Sequence, residues 1–218
     1  MIYMIKCAIF DLDGTLANTL EDLANAVNYA LEKNGYKAYP VEAYKQMVGS
    51  GIVNLVKKAS GSEDENVIKT LKTDFDCYYS RHTVDKTCRY SGGSEMLKKL
   101  QKHGVTLAVL SNKPDAFVES ILGKLFPDIS FAKAWGKKEG FDIKPNPASL
   151  NAMLKELNAD KSQVVYVGDS NVDVFTAQNG QVGFIGCAWG FRGEQELLEA
   201  GAVNVARTCG QLADMILA

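Results

Sequence analysis

Short, continuous apolar runs alternate with helix-patterned stretches along most of the chain, and no feature restricts the possible folds more. Ile5–Phe10, Val105–Leu110, Val164–Val167 and Val182–Cys187 are runs of strand length, with shorter candidates at Ile129–Ala134 and Ala202–Val205. Runs apolar on both faces suit strands buried inside a parallel sheet better than amphipathic helices. Between them the spacing predicts helices over Ser94–His103, Pro114–Leu125, Pro147–Asn158, Asn171–Asn179 and Thr208–Leu217, several closed by Gly or Pro. Strand and helix in alternation give an α/β fold with a doubly wound, Rossmann-like parallel sheet.

One region breaks the pattern. From Thr19 to about Cys88 no strand candidate occurs, whereas Leu20, Leu23, Ala24, Val27 and Leu31 mark one helical face ended by Gly35. Further helices are expected at Val41–Val48, Ile52–Ala59 and about Glu63–Ser80. An all-helical insertion placed directly after the first strand should hang over the carboxyl edge of the sheet, where open parallel sheets bind ligands, as a cap or lid.

Composition removes several classes of function. With 24 Lys and Arg against 26 Asp and Glu, the charges balance and interleave, so no basic stripe invites nucleic acid. Five cysteines without a C-x-x-C pair indicate neither a disulfide framework nor a zinc site, which fits a reducing compartment. The apolar stretch Met1–Phe10 lacks the basic region and cleavage site of a signal peptide and stops far short of a membrane span. The expectation is a cytoplasmic protein without a membrane partner.

The chemistry is concentrated where apolar runs end. Asp11-Leu12-Asp13-Gly14-Thr15 follows the first strand. Two carboxylates at i and i+2 can face one site if the chain curls there, and Gly14 permits the curl. One of them, held ionised beside a cation, can act as nucleophile while the other carries a proton. Gly168-Asp169-Ser170-Asn171-Val172-Asp173 closes a second strand and offers Asp169 and Asp173 to the same corner. Such oxygens suit Mg²⁺. A helix N-cap with a first-turn acid is the structural alternative for this cluster. Ser111-Asn112 ends a third strand, where hydroxyl, amide and backbone N–H groups at a helix N-terminus would cradle phosphate. Lys144, set before Pro145 and Pro147, would supply the cation that a carboxylate attacking a phosphate dianion requires.

In this order, Asp11-Leu12-Asp13-Gly14-Thr15, Ser111-Asn112, Lys144-Pro145 and Gly168-Asp169-Ser170 through Asp173 resemble the four motifs of the haloacid dehalogenase superfamily of phosphatases, and most of all its phosphoglycolate phosphatase-like branch. The resemblance implies a sheet in the order 3-2-1-4-5, with a core of residues 1–16 and 90–218 and a helical cap of residues 17–89. It also implies bound Mg²⁺ and an aspartyl-phosphate intermediate. By motif, Asp11 matches the nucleophile, Asp13 the general acid and base, Ser111 with Thr15 and Asn112 the phosphate-binding groups, and Lys144 the charge-balancing lysine. Asp11, Asp169, Asp173 and the Asp13 carbonyl match the metal ligands, and Gly49-Ser50-Gly51 is similar to the cap's substrate-facing loop. Asn18-Thr19 and Tyr90-Ser91-Gly92 depart from the branch's usual Asp-Ser and Tyr-Pro-Gly. The implied function is Mg²⁺-dependent hydrolysis of a small phosphorylated metabolite. A sugar phosphomutase or a pyrophosphatase on the same scaffold, and a non-enzymatic sensor of Mg²⁺ and phosphate, remain as alternatives.

Overall fold

The computed structural model describes residues 4–218; Met1–Tyr3, the start of the apolar run Met1–Phe10, lie outside the described residues. Six strands form a parallel sheet: β1 (Cys7–Phe10), β4 (Thr106–Pro114), β5 (Lys133–Lys137), β6 (Val164–Gly168), β7 (Gly183–Cys187) and β8 (Val205–Ala206). Their order is β5-β4-β1-β6-β7-β8, the expected 3-2-1-4-5 arrangement with a sixth strand added at one edge. Cys7 pairs with Thr106 on one side and Val164 on the other, and Phe10 with Val109 and Val167. The end of β1 therefore lies where the chain changes direction across the sheet, the place where this architecture opens a crevice.

Both faces of the sheet are covered, which explains the unbroken apolar runs. Ala8, Phe10, Leu107, Val109, Val165 and Val167 face one way, into α4 (Gly93–Lys102), α5 (Asp115–Leu125) and α9 (Cys209–Leu217). Cys7, Ile9, Ala108, Leu110, Val164 and Tyr166 face the other, against α6 (Ala148–Glu156) and α7 (Asn171–Gly180). The period of two is present in contacts but invisible in polarity, because neither face meets water.

Three helices, α1 (Leu20–Lys33), α2 (Gly51–Ser60) and α3 (Glu65–Tyr79), together with a 3-10 turn at Val41–Gln46, enclose an apolar cluster of their own around Leu23, Val27, Tyr44, Leu55, Leu71 and Phe75. A two-residue antiparallel ladder, β2 (Ala17–Asn18) with β3 (Cys88–Arg89), joins this segment's entry to its exit. Buried Asp22 reinforces the join: its carboxylate accepts from the Lys86 and Thr87 backbone N–H groups and from the Thr87 hydroxyl at 2.7–3.0 Å.

Several boundaries move from their sequence positions. The helix expected over Val41–Val48 is a 3-10 turn ending at Gln46. The strand expected at Ile129–Ala134 begins only at Lys133; Ile129 and Phe131 instead pack on the core from the preceding loop. The last strand shifts from Ala202–Val205 to Val205–Ala206. Helix α8 (Gly193–Glu199) follows β7 where the apolar pattern gave no signal.

Candidate active site

At the carboxyl end of β1 the Asp11 N–H still donates to Val167 O at 2.9 Å, so the first acid is fixed by the sheet itself. The chain then turns through Gly14, whose φ of +85° lies in the left-handed region. A Cβ at Gly14 would fall 2.4 Å from the Asp169 carboxylate. Gly190, on the loop after β7, also closes on Asp169, where a Cβ would fall 2.1 Å from the Asp169 Cβ. Two glycines thus let two loops press against one carboxylate, which also accepts from the Phe191 N–H at 2.8 Å and the Thr15 hydroxyl at 3.3 Å.

Asp173 sits one turn into α7. Its Oδ2 accepts from the Ser170 N–H at 3.2 Å and from the Ser170 hydroxyl at 2.7 Å, a reciprocal contact at the helix start. Its Oδ1 faces Lys144 Nζ at 2.8 Å. The capping and site-forming readings of this acid are both realised, one by each oxygen. Lys144 also contacts Asp11 Oδ1 at 3.1 Å and the Tyr166 hydroxyl at 2.8 Å. That hydroxyl in turn donates to Leu110 O, which anchors the lysine to the floor of the sheet.

Asp11, Asp169 and Asp173, all buried, can each offer an oxygen within 4.8 Å of the others. Burial, opposed by the Lys144 charge and aided by the charges of Asp173 and Asp13, pushes the Asp11 carboxyl up to about 6. Burial, then the charges of Asp173 and Asp11, also hold Asp169 well above the usual carboxylate range. Burial alone would discharge Lys144, but Asp11 and Asp173 more than compensate and keep it an ammonium. If all three carboxylates ionise, they carry two more negative charges than the one ammonium balances, a donor set that suits a divalent cation.

A cavity of about 40 Å³ opens beside Asp11, lined by Asp13, Gly49, Gly51, Ser111, Asn112 and Lys113 and walled by apolar side chains of the helical segment. Its volume accommodates a few water-sized groups. Ser50 is not among its lining residues; it belongs to a separate surface depression with Asn54 and Lys57. Thr15 is buried and holds Asp169 by its hydroxyl.

Ser111 and Asn112 depart from the expected phosphate cradle at a helix N-terminus. β4 continues with a register irregularity to Pro114 and α5 starts only at Asp115, so both residues lie on extended chain. The residue before a proline is biased away from helical backbone, which delays the helix. The Asn112 side chain is occupied: Nδ2 donates to Gly49 O at 3.0 Å and Lys144 O at 3.1 Å, while Oδ1 accepts from the Lys144 N–H at 2.8 Å. Asn112 thereby pins the helical segment's loop and the Lys144 backbone to one point. Ser111 stays in the cavity wall with its oxygen only weakly engaged, by the Lys113 N–H at 3.4 Å.

Sequence reasoning missed the second buried lysine. Lys113 Nζ meets Asp13 Oδ1 and Oδ2 at 3.0 and 3.2 Å, and the Thr19 hydroxyl donates to Asp13 Oδ1 at 2.6 Å. Lys113 is followed by one proline, Pro114, where Lys144 is followed by two, and a single lysine after a strand resembles any surface lysine. Tyr166 was equally hidden, since an aromatic within Val-Val-Tyr-Val reads only as core.

Comparison with known proteins identifies the family. A protein of Psychrobacter arcticus named phosphoglycolate phosphatase is 33% identical over 96% of this chain and 94% of its own. One of the same name from Vibrio parahaemolyticus is 30% identical over 97% and 96%. The crystal structure of a Lactobacillus delbrueckii subsp. bulgaricus protein superposes with a TM-score of 0.91 at 34% identity, covering 98% of this chain and 99% of that one. Residues 8–187 match the family profile described as haloacid dehalogenase-like hydrolase, a span that runs from β1 to the end of β7 and takes in every acid of the site. By that match and these relatives, the chain belongs to the haloacid dehalogenase-like hydrolases.

Proposed function

We propose that this hydrolase is a Mg²⁺-dependent phosphatase acting on a small phosphate monoester of the phosphoglycolate type, with the helical residues 17–89 serving as a cap over a core of residues 1–16 and 90–218. The observation that carries the reading is the division of labour between Asp11 and Asp13. Two residues apart, one carboxylate faces Lys144 and the other acids, while the other faces Lys113, Thr19 and the cavity. Relatives named phosphoglycolate phosphatase support the substrate class.

Asp11, Asp169, Asp173 and the backbone carbonyl of Asp13 would hold the metal, which when bound offsets the charge shared by carboxylates and phosphate. The remaining steps belong to the chain. Lys144 keeps Asp11 oriented and ionised, and an Asp11 oxygen attacks phosphorus. The bond from phosphorus to the ester oxygen breaks, and Asp13 gives that oxygen its proton. Asp13 then takes a proton from water as the water attacks the aspartyl-phosphate, freeing phosphate and restoring Asp11. Ser111 binds a phosphate oxygen, and the loop Gly49-Ser50-Gly51 covers the site through the Gly49 contact to Asn112. Closure of the helical residues keeps bulk water from competing.

The test is phosphate release from phosphoglycolate, sugar phosphates, nucleotides and pyrophosphate, with Mg²⁺ or EDTA. Turnover should need Mg²⁺, favour small monoesters and disappear in Asp11→Asn. Turnover that survives in Asp11→Asn would refute the nucleophile, and preference for pyrophosphate would refute the substrate class.

A further inference from the structure

Lys113 is a buried cation among mostly apolar cavity walls. Its side chain is only 2% exposed, yet it borders the cavity. Opposite it stand Leu23, Ile52, Leu55, Phe75 and Phe117, which leave nothing on that side to solvate a charge. An ammonium carries three N–H groups, and Asp13 can engage at most two of them. The ammonium also lies over the ring of Tyr79, 4.7 Å from its centroid.

Tyr79 supplies an independent observation. The residue is fully buried at the end of α3, lines the same cavity, and its hydroxyl has no hydrogen-bond partner among the described residues. Buried hydroxyls without partners are uncommon in folded proteins, and one on a residue that lines a cavity points to a ligand atom. A phenol O–H beside an ammonium is a donor pair, complementary to an anion.

Resting on the phosphatase reading, we infer that Lys113 and the Tyr79 hydroxyl form a subsite for a carboxylate on the leaving alcohol, so that the enzyme selects phosphate esters of small hydroxy acids. Asp13 fixes the scale. The ester oxygen must lie within hydrogen-bond reach of Asp13 to receive its proton, and Lys113 already touches Asp13. A carboxylate on Lys113 is therefore only a few ångströms from the ester oxygen, the separation of one or two carbons. Larger acids meet the apolar wall.

Steady-state kinetics with 2-phosphoglycolate and 2-hydroxyethyl phosphate, similar in size but differing in the carboxylate, test the assignment under saturating Mg²⁺. Lys113→Met should reduce the ratio of kcat/KM between the two esters by roughly 100-fold, mainly through KM for the acid, and Tyr79→Phe by roughly 5-fold. Any weakened support of Asp13 affects both esters alike and cancels in the ratio. An unchanged ratio in both variants would overturn the subsite and leave Lys113 as a positioning residue for Asp13. Tyr79→Phe removes only an unpartnered hydroxyl, so it reports even if Lys113→Met fails to fold. Calorimetric titration of 2-phosphoglycolate into Asp11→Asn, with and without Lys113→Met, separates this inference from the phosphatase reading. Binding weakened at least 30-fold by Lys113→Met supports the subsite even if the wild type hydrolyses neither ester, and equal affinities refute it even if both are hydrolysed.

Discussion

Lys144 and Lys113 are buried to the same degree at one edge of one sheet, yet they meet carboxylates in opposite proportions. Lys144 stands alone against Asp11, Asp169 and Asp173, whereas Lys113 faces Asp13 one to one. The first neighbourhood is short of positive charge and rigidly framed by Gly14, Gly190, Ser170 and Tyr166. The second is neutral as a pair and borders the cavity. Equal burial therefore does not mean equal roles. An unbalanced cluster is stabilised by a further cation, while a balanced pair can direct its unused donors toward a ligand without adding net charge to the core.

The contrast is broken most directly at Lys144. Lys144→Met removes the cation that three buried carboxylates share and leaves the Tyr166 hydroxyl without its lysine partner. Loss of one member of a buried charge cluster costs about 3–5 kcal/mol. Urea unfolding in EDTA should show a loss of that size, and Mg²⁺ should recover only part of it. A loss below about 1 kcal/mol would mean that the acids simply take up protons and that the cluster is not held charged.

A smaller effect sharpens the same point through pH. Burial raises Asp11 from an ordinary 3.8 to about 6, and Asp169 shifts in the same direction. A carboxyl raised in the folded state contributes stability that is fully present below the unfolded value and is lost as pH rises through the folded one. Without metal, the cluster's contribution should therefore decline between about pH 4 and pH 6, as the carboxylates ionise against each other. Mg²⁺ binds the ionised form, so its increase in Tm should be several degrees larger at pH 7 than at pH 5. Thermal melts at the two pH values with and without Mg²⁺ read this. An equal or smaller gain at pH 7 would detach the acids from the metal.

These two neighbourhoods also differ in how far they were legible. The acids announced themselves because each follows an apolar run, and a strand end in a parallel sheet has a known place. Lys144 was flagged by the two prolines that follow it. Alternation was enough for the parallel α/β class, and the order of five strands came with the family resemblance, while the edge strands were blurred because their apolar runs are short and mixed. Lys113 and Tyr79 could not be paired in advance, since α3 and the end of β4 are brought together only by how the helical segment docks. The ladder between Ala17–Asn18 and Cys88–Arg89 is too short to have a period, and its reinforcement by Asp22 spans 64 and 65 residues of sequence. Asn112 was recognised by motif, but its partners Gly49 and Lys144 belong to separate segments and fix its amide in a way composition does not encode.

The mildest perturbation concerns what joins the two neighbourhoods. Arg192 reaches from the loop after β7 to the helical segment, donating to Val48 O at 2.8 Å and to the Gln46 carbonyl and side chain, while Glu196 pairs with it at 3.4 Å. The preceding residue, Phe191, gives its N–H to Asp169. One short loop therefore touches both the cation-seeking acids and the chain that leads to Gly49. Arg192→Ala leaves the Phe191 N–H in place and removes only the grip on residues 46–48. Because that grip is partly solvated, the stability cost should stay near 1 kcal/mol or below. The covering loop should loosen, raising KM for the phosphate ester about 3-fold with kcat nearly unchanged, as expected when uniform binding is lost. A fall in kcat at constant KM would place the effect at Asp169 instead, and would show that the unbalanced cluster responds to the position of the helical segment rather than standing apart from it.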